Sequence, residues 1–456
     1  MFYGVGRIFR WFLSENGQYS IGIDSIDFIQ RQSLKGEFFK LNLGRKTYLL
    51  SNPEDIQYVL MKKPLTFDKS WFPRDFKRFL GKSILNNEGA DHRHQRRSLQ
   101  SPWMKPSIST LVKQMYIDAE AVASRWVDGG EVNVMDELVN MGLLTMAKFV
   151  FDIDDEKEAF DIHSLAVRCH RNMCKQKNGA VMIPSFIPTK RNRVYEKDNR
   201  LIEKRIQGYI NKKRKSRTTD VENADTSVIG QILDAKDMSG KVLSDEVIID
   251  ELKGFFIAGS DPIRTLSWTL YELSQNKQLK RNVENELVDI LGEETPDKDF
   301  YKKSKYLNTV YSETVRKYPH AWIFHRRVNE PVTLPSGNAL PKGADIFISP
   351  LVMQRMDKYF PNPEQFLPER FSDKKNKTWP QGAYLPFGLG PRNCIGEHFA
   401  RMQAAITLAY LCNNFDFDFL EKPDLYSPNF MVLQASDHVM KANVTRKGMA
   451  RSYTSE

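Results

Sequence analysis

Cysteine is scarce in this chain: four in 456 residues, Cys169, Cys174, Cys394 and Cys412. So few in so long a sequence exclude a disulfide-dense scaffold and point to a reducing compartment. Cys169 and Cys174 flank His170, but their spacing matches no C-x-x-C or C-x-x-C-H motif. Long apolar runs are also missing, so no segment reads as a membrane span. The opening, MFYGVGRIFRWFLSENG, lacks the apolar core and small-residue cleavage site of a secretory leader. Its aromatics with Arg7 and Arg10 suit a helix lying on a membrane surface, or a segment packed on the body of the protein. Zinc-finger spacing, RNA-binding signatures, internal repeats and a convincing interdomain linker are all absent. Residues 1–456 are therefore expected to form a single domain with a minor β-rich part near the N-terminus.

What is present is ordinary globular composition, 41% hydrophobic and 27% charged, enough to enclose a bulky buried group. The net charge of +10 favours encounters with an acidic protein, an anionic membrane or nucleic acid, and for the last no motif speaks. Residues 37–50 read as a hairpin around Gly44-Arg45, and 54–62 as helix. Residues 66–90 are irregular and aromatic. Helices fit 108–126, 134–152, 194–216, 277–291, 305–318 and 397–413, and short strands fit 344–349 and 437–445. Residues 244–276 carry one long helical pattern interrupted at Pro262. The whole reads as mainly α with a small β portion.

The sharpest feature is Pro386-Phe387-Gly388-Leu389-Gly390-Pro391-Arg392-Asn393-Cys394-Ile395-Gly396. Glycine permits backbone shapes closed to other residues and close approach to a flat ligand. Loop N–H groups can then face the sulfur and stabilise its anion. Arg392 adds a cation nearby, and the dipole of the helix that follows also favours a thiolate.

This F-x-x-G-x-R-x-C-x-G pattern resembles the haem-binding loop of the cytochrome P-450 family. Two further segments fit in the same order: Glu313-Thr314-Val315-Arg316 as E-x-x-R, and Phe366-Leu367-Pro368-Glu369-Arg370-Phe371 as F-x-P-E-R-F. His92 and Arg96, four apart on one helical face, are similar to the family's propionate-binding pair. The resemblance runs from about residue 37 to the C-terminus and implies the P-450 fold, a mainly helical triangular body. Haem b would lie between a long distal helix and the helix after Cys394, with Cys394 as the iron ligand. His92, Arg96, Arg326 and Arg392 would hold the propionates. Phe387 and Gly396 would belong to the proximal cradle, and Ala258-Gly259 would open the distal helix beside the haem. Glu313, Arg316 and Arg370 would form a structural triad. The resemblance also implies O2 and a small-molecule organic substrate as partners. A separate ferredoxin or flavodoxin with its reductase would supply electrons. A soluble, cytoplasmic, bacterial type of enzyme is implied, without nucleic acid or a transmembrane anchor.

The pattern breaks in the distal helix. Asp261 stands at the family's acid, the expected aid to proton delivery, but Pro262 replaces the threonine that follows it. Proline has no hydroxyl and no N–H, so it should free the Ala258 carbonyl and kink the helix. Three readings follow: Asp261 and water suffice; the substrate brings its own hydroxyl or N–H; or peroxide use or substrate rearrangement bypasses the relay. The second suits phenols and heteroaromatics, oxidised or coupled by radical chemistry. The pocket would then draw on Trp71, Phe72, Phe255, Pro262, Trp322, Phe324 and Met431. The same residues can line an aliphatic pocket for a fatty acid or terpenoid hydroxylase. A non-catalytic haem sensor is the remaining alternative. Gln354 and Gln403 are smaller departures, standing where the family often has histidine and glutamate.

Overall fold

The computed structural model describes residues 25–42, 46–69, 74–177, 187–217, 225–292, 294–372, 379–426, 432–435 and 440–448. The opening segment, the Gly44-Arg45 turn, Trp71, Phe72 and Met431 lie outside these residues.

Residues 38–50, rich in aromatic and branched side chains, make two strands, β1 (Phe38–Asn42) and β2 (Lys46–Leu50), paired antiparallel with Phe38 opposite Leu50. They join β3 (Phe67–Asp68), β4 (Phe324–Val328) and β5 (Asp345–Ile348) in one sheet, ordered β1-β2-β5-β4-β3. The β2–β5 pairing is parallel; the other pairings are antiparallel. Strand alternation decides between two adjacent arginines: in β4, Arg326 is buried and Arg327 exposed.

The helical body is built from α1 (Gly89–Leu99), α2 (Val112–Ala123), α3 (Val134–Phe151), α4 (Glu156–Lys177), α5 (Lys190–Arg217), α6 (Asp245–Ser260), α7 (Leu266–Gln275), α8 (Lys305–Lys317) and α9 (Glu397–Asn414). Helices α3 and α9 are apolar on almost every face, because each is packed on all sides within the main core. Helix α5 is polar outward and buries Tyr195, Ile202, Ile206 and Ile210 at near-helical spacing.

The break at Pro262 falls where its chemistry demands. α6 stops at Ser260, the chain tightens into a 3₁₀ turn over Pro262–Thr265, and α7 resumes at Leu266. Small residues seat this break against α3. A Cβ on Gly259 would collide with the Met146 side chain, and a Cβ on Gly142 would come within 2.9 Å of Ile263. A second apolar cluster lies under the sheet, and a third gathers Ile29, Leu49, Trp268, Trp322 and Leu351. Burying a side chain of this size stabilises the fold by about 1.5–3 kcal/mol.

Candidate active site

The cysteine loop is shaped by two glycines with left-handed backbone, Gly388 (φ 77°) and Gly390 (φ 75°). Gly390 also sits against the Leu60 carbonyl, where any Cβ would collide. The Phe387 carbonyl accepts the Cys394 N–H at 2.8 Å, closing the loop, and α9 starts just after Gly396. Gly396 packs against the Trp103 ring, leaving room beside the sulfur that a larger residue would fill. Solvent reaches Cys394, yet the packed surroundings hold its thiol above the ordinary value; the Gly396 N–H and Arg96 pull the other way. A bound cation would tip such a thiol to thiolate, as metals do.

Above the loop, positive charge converges. Arg96 donates to the Asn393 carbonyl at 2.8 Å and to Asn393 Oδ1 at 3.2 Å, tying α1 to the residue before Cys394. Arg392 reaches the Asn87 carbonyl at 2.8 Å and pairs with Glu88. Its Nη1 is buried without a partner among the described residues. Arg326 is buried with one donor on the His325 carbonyl. His92 is held down to about 3 by burial, then by Arg392, Lys69, Arg96 and Arg326. Lys69, half-buried, is pushed down to about 7 by desolvation and by Arg392 and Arg326. Five basic side chains thus crowd together, with the carboxylates of Glu88 and Asp68 near Arg392. Such an arrangement fits a bound group bearing carboxylates. The residues present therefore suit a haem: a thiol on one side and a cationic cluster for its propionates.

Lys69 escaped sequence reasoning, because residues 66–90 have no period that would give its direction. By contrast, His92 and Arg96 declared themselves by spacing.

The three charged residues expected to brace the loop meet. Arg316 grips Glu313 through two bonds of 2.7 and 2.8 Å, both groups fully buried, and Arg370 lies 3.4 Å from the same carboxylate. Arg316 also donates to the Gln354 and Pro363 carbonyls. Gln354 donates to the Val315 and Arg316 carbonyls and accepts the Leu385 N–H. An amide therefore links α8 to the chain entering the cysteine loop.

On the distal side, Ala258 is exposed in a stretch whose neighbours are largely buried, and Asp261 and Pro262 follow three and four residues later on the same face. Gly259 is different from expectation: its missing side chain makes room for Met146 in α3, so its smallness serves helix packing. Asp261 pairs with Arg264 at 2.7 Å and lies 3.6 Å from His320 Nε2.

Two aromatic residues expected in a substrate pocket are core residues instead. Trp322 is fully buried in the third cluster, behind β5, where its carbonyl accepts the Ser349 hydroxyl. Phe255 is buried against Trp103, with ring centroids 5.0 Å apart. Aromatic character alone does not tell which side of a strand or helix a ring occupies. Phe324 and Pro262 remain partly exposed.

Comparison with known proteins agrees with this arrangement. The Cytochrome P450 family model matches residues 22–441. Cyclooctat-9-en-7-ol 5-monooxygenase of Streptomyces melanosporofaciens is 26% identical over 392 residues, covering 85% of this chain and 84% of the relative. Pentalenene oxygenase of Streptomyces avermitilis is 28% identical over 393 residues, covering 84% and 85%. The structure of retinoic acid bound cyanobacterial CYP120A1 superposes with a TM-score of 0.80 at 21% identity, covering 94% of this chain and 96% of that one. The chain belongs to the cytochrome P450 family, the haem monooxygenases.

Proposed function

We propose that this protein holds haem b on Cys394 and oxygenates an aliphatic, terpenoid-like substrate, rather than coupling aromatic rings. The observation that carries the haem assignment is the convergence of the Cys394 loop with the cluster of Lys69, His92, Arg96, Arg326 and Arg392. When bound, the haem would supply oxygen activation, with Cys394 as the residue that would hold its iron. The chain's own residues have narrower tasks. Cys394 holds the iron, the cationic cluster neutralises the propionates, and the Glu313–Arg316–Arg370 network keeps the loop in place. Asp261 handles protons on the distal side.

The names of two relatives support the substrate class. Pentalenene and cyclooctat-9-en-7-ol, the compounds in two relatives' names, are by those names an alkene and an unsaturated alcohol. An alcohol substrate would also bring the hydroxyl that Pro262 lacks.

Electrons would come from a separate acidic ferredoxin or flavodoxin with its reductase, in the cytoplasm. α1 turns His92 inward and leaves Arg93 and Arg97 exposed on its outer side, a suitable surface for steering such a carrier. No described helix is long and apolar enough to cross a membrane.

An optical titration of the ferric protein tests the substrate class, because the haem spectrum would respond to a ligand entering the distal pocket. Terpenoid alcohols and alkenes should give that response. A response to phenols, indoles and pyrroles alone would reverse the assignment.

A further inference from the structure

We propose that His320 passes protons between Asp261 and the distal face of the haem, taking the place left by the missing alcohol at Pro262. His320 lies in the turn between α8 and β4, far in sequence from the distal helix. It appears in none of the motifs that define the site. The structure nevertheless sets its Nε2 3.6 Å from Asp261 Oδ2, just where α6 breaks. Its Nδ1 is buried and makes no hydrogen bond among the described residues. An imidazole with one nitrogen facing a carboxylate and the other unengaged has the connectivity of a relay. It accepts at one edge and donates at the other.

The surroundings fix its resting charge. Burial holds His320 below its ordinary value, Arg264 pushes the same way, and Asp261 opposes them. Arg264 is bound to the other Asp261 oxygen at 2.7 Å. His163, reaching in from α4, is held down to about 4 by burial and feels the same Asp261 and Arg264 charges. Both imidazoles are thus neutral near pH 7, and Asp261 is the carboxylate they share with Arg264.

The proton count closes without changing the net charge of the ring. A proton arriving on the Asp261 carboxylate moves to Nε2 once a small side-chain movement closes the 3.6 Å gap, and the same movement brings Nδ1 out of its buried seat to release its proton to water. Imidazole is neutral before and after, with its tautomer exchanged. Loss of the Nε2 proton and uptake of one at Nδ1, by exchange with water, restores the starting tautomer for the next proton. Pro262 assists by geometry: it ends α6 at Ser260, so Asp261 sits at the helix end beside the 319–321 turn.

The proposal does not depend on the substrate class, because each catalytic cycle of a monooxygenase consumes two protons whatever is oxidised. Two measurements test it. The first uses the ring signals of His320 in the reduced carbon-monoxide form, followed by NMR against pH. Asp261→Asn should lower the titration midpoint and Arg264→Gln should raise it; an unmoved midpoint in both would remove the pair. The second uses His320→Gln, which keeps a polar side chain but cannot pass a proton. Oxygen-driven product formation should fall about tenfold with more reducing equivalents lost to peroxide, while peroxide-driven turnover stays within about twofold. An equal fall in both modes, or no fall in either, would overturn the relay. Should His320→Gln fail to fold, the NMR comparison still decides, because it leaves His320 intact.

Discussion

Lys69 shows how a single half-buried cation would serve a ligand at the expense of the empty fold. Its ammonium is desolvated and faces Arg392 and Arg326, so it is held down to about 7. In the unfolded chain it titrates near its ordinary value. Between those two values the unfolded apoprotein binds more protons, so this group makes stability rise with pH from about 7 to 10. Lys69→Met should abolish that rise in the apoprotein while weakening haem retention about tenfold, the worth of one charge-assisted bond. Unfolding by denaturant across pH, with haem transfer to an acceptor protein, measures both. A variant that loses neither property would place Lys69 outside the propionate site. For Asp261, Asp261→Asn should slow oxygen-dependent turnover more than peroxide-driven turnover; equal losses in parallel assays would count against its proton role. At this scale the sequence was uneven. That Arg96 and His92 would lie together near the Cys394 loop was legible, because glycine spacing and a four-residue step each have a direct geometric meaning. Lys69 and His320 were not, since neither stands in a periodic segment. Trp322 was misassigned because a ring looks the same in a pocket and in a core.

The break in the distal helix was legible to within a residue or two, because proline removes a particular hydrogen bond. What could not be read was the packing around it. The seating of Gly259 on Met146 depends on α3, more than a hundred residues away. The π-type turn over Tyr58–Lys62 was likewise read as ordinary helix, and its Leu60 carbonyl is the group pressed against Gly390. Replacing Pro262 by threonine should restore the N–H for the Ala258 carbonyl and improve electron coupling. Product formed per electron consumed is the measurement, and unchanged coupling would mean the hydroxyl does not limit this enzyme. Glu251 gives α6 a second, pH-dependent tie. Its carboxyl accepts the Ile84 N–H at 2.9 Å and a Gln95 amide hydrogen, anchoring the turn before α1. Burial pushes it up to about 8, so the folded state holds a proton that the unfolded state releases above about 4.5. This contribution is complete below 4.5 and fades as pH rises toward 8. Glu251→Gln should flatten the thermal stability profile over that window; an unchanged slope would show that Glu251 is ionised in the fold.

For the molecule as a whole, an excess of ten positive charges and the exposed Arg93 and Arg97 on α1 favour an acidic electron carrier. Reduction by an acidic ferredoxin should slow about tenfold between low and high salt, and Arg93→Glu with Arg97→Glu should remove most of that dependence. Stopped-flow reduction at several ionic strengths measures this, and a rate indifferent to salt would point to another docking face. The fold class was legible because motifs in fixed order name the P-450 architecture even where single helices are ambiguous. The substrate was not, because pocket walls come from segments whose direction only the tertiary structure sets. Everything in this account rests on Cys394 as the haem ligand. The most direct measurement is the carbon monoxide difference spectrum of the reduced protein beside that of Cys394→Ala. The wild-type protein should show the thiolate-type band and the variant should lose it. A variant that kept the band would contradict the assignment.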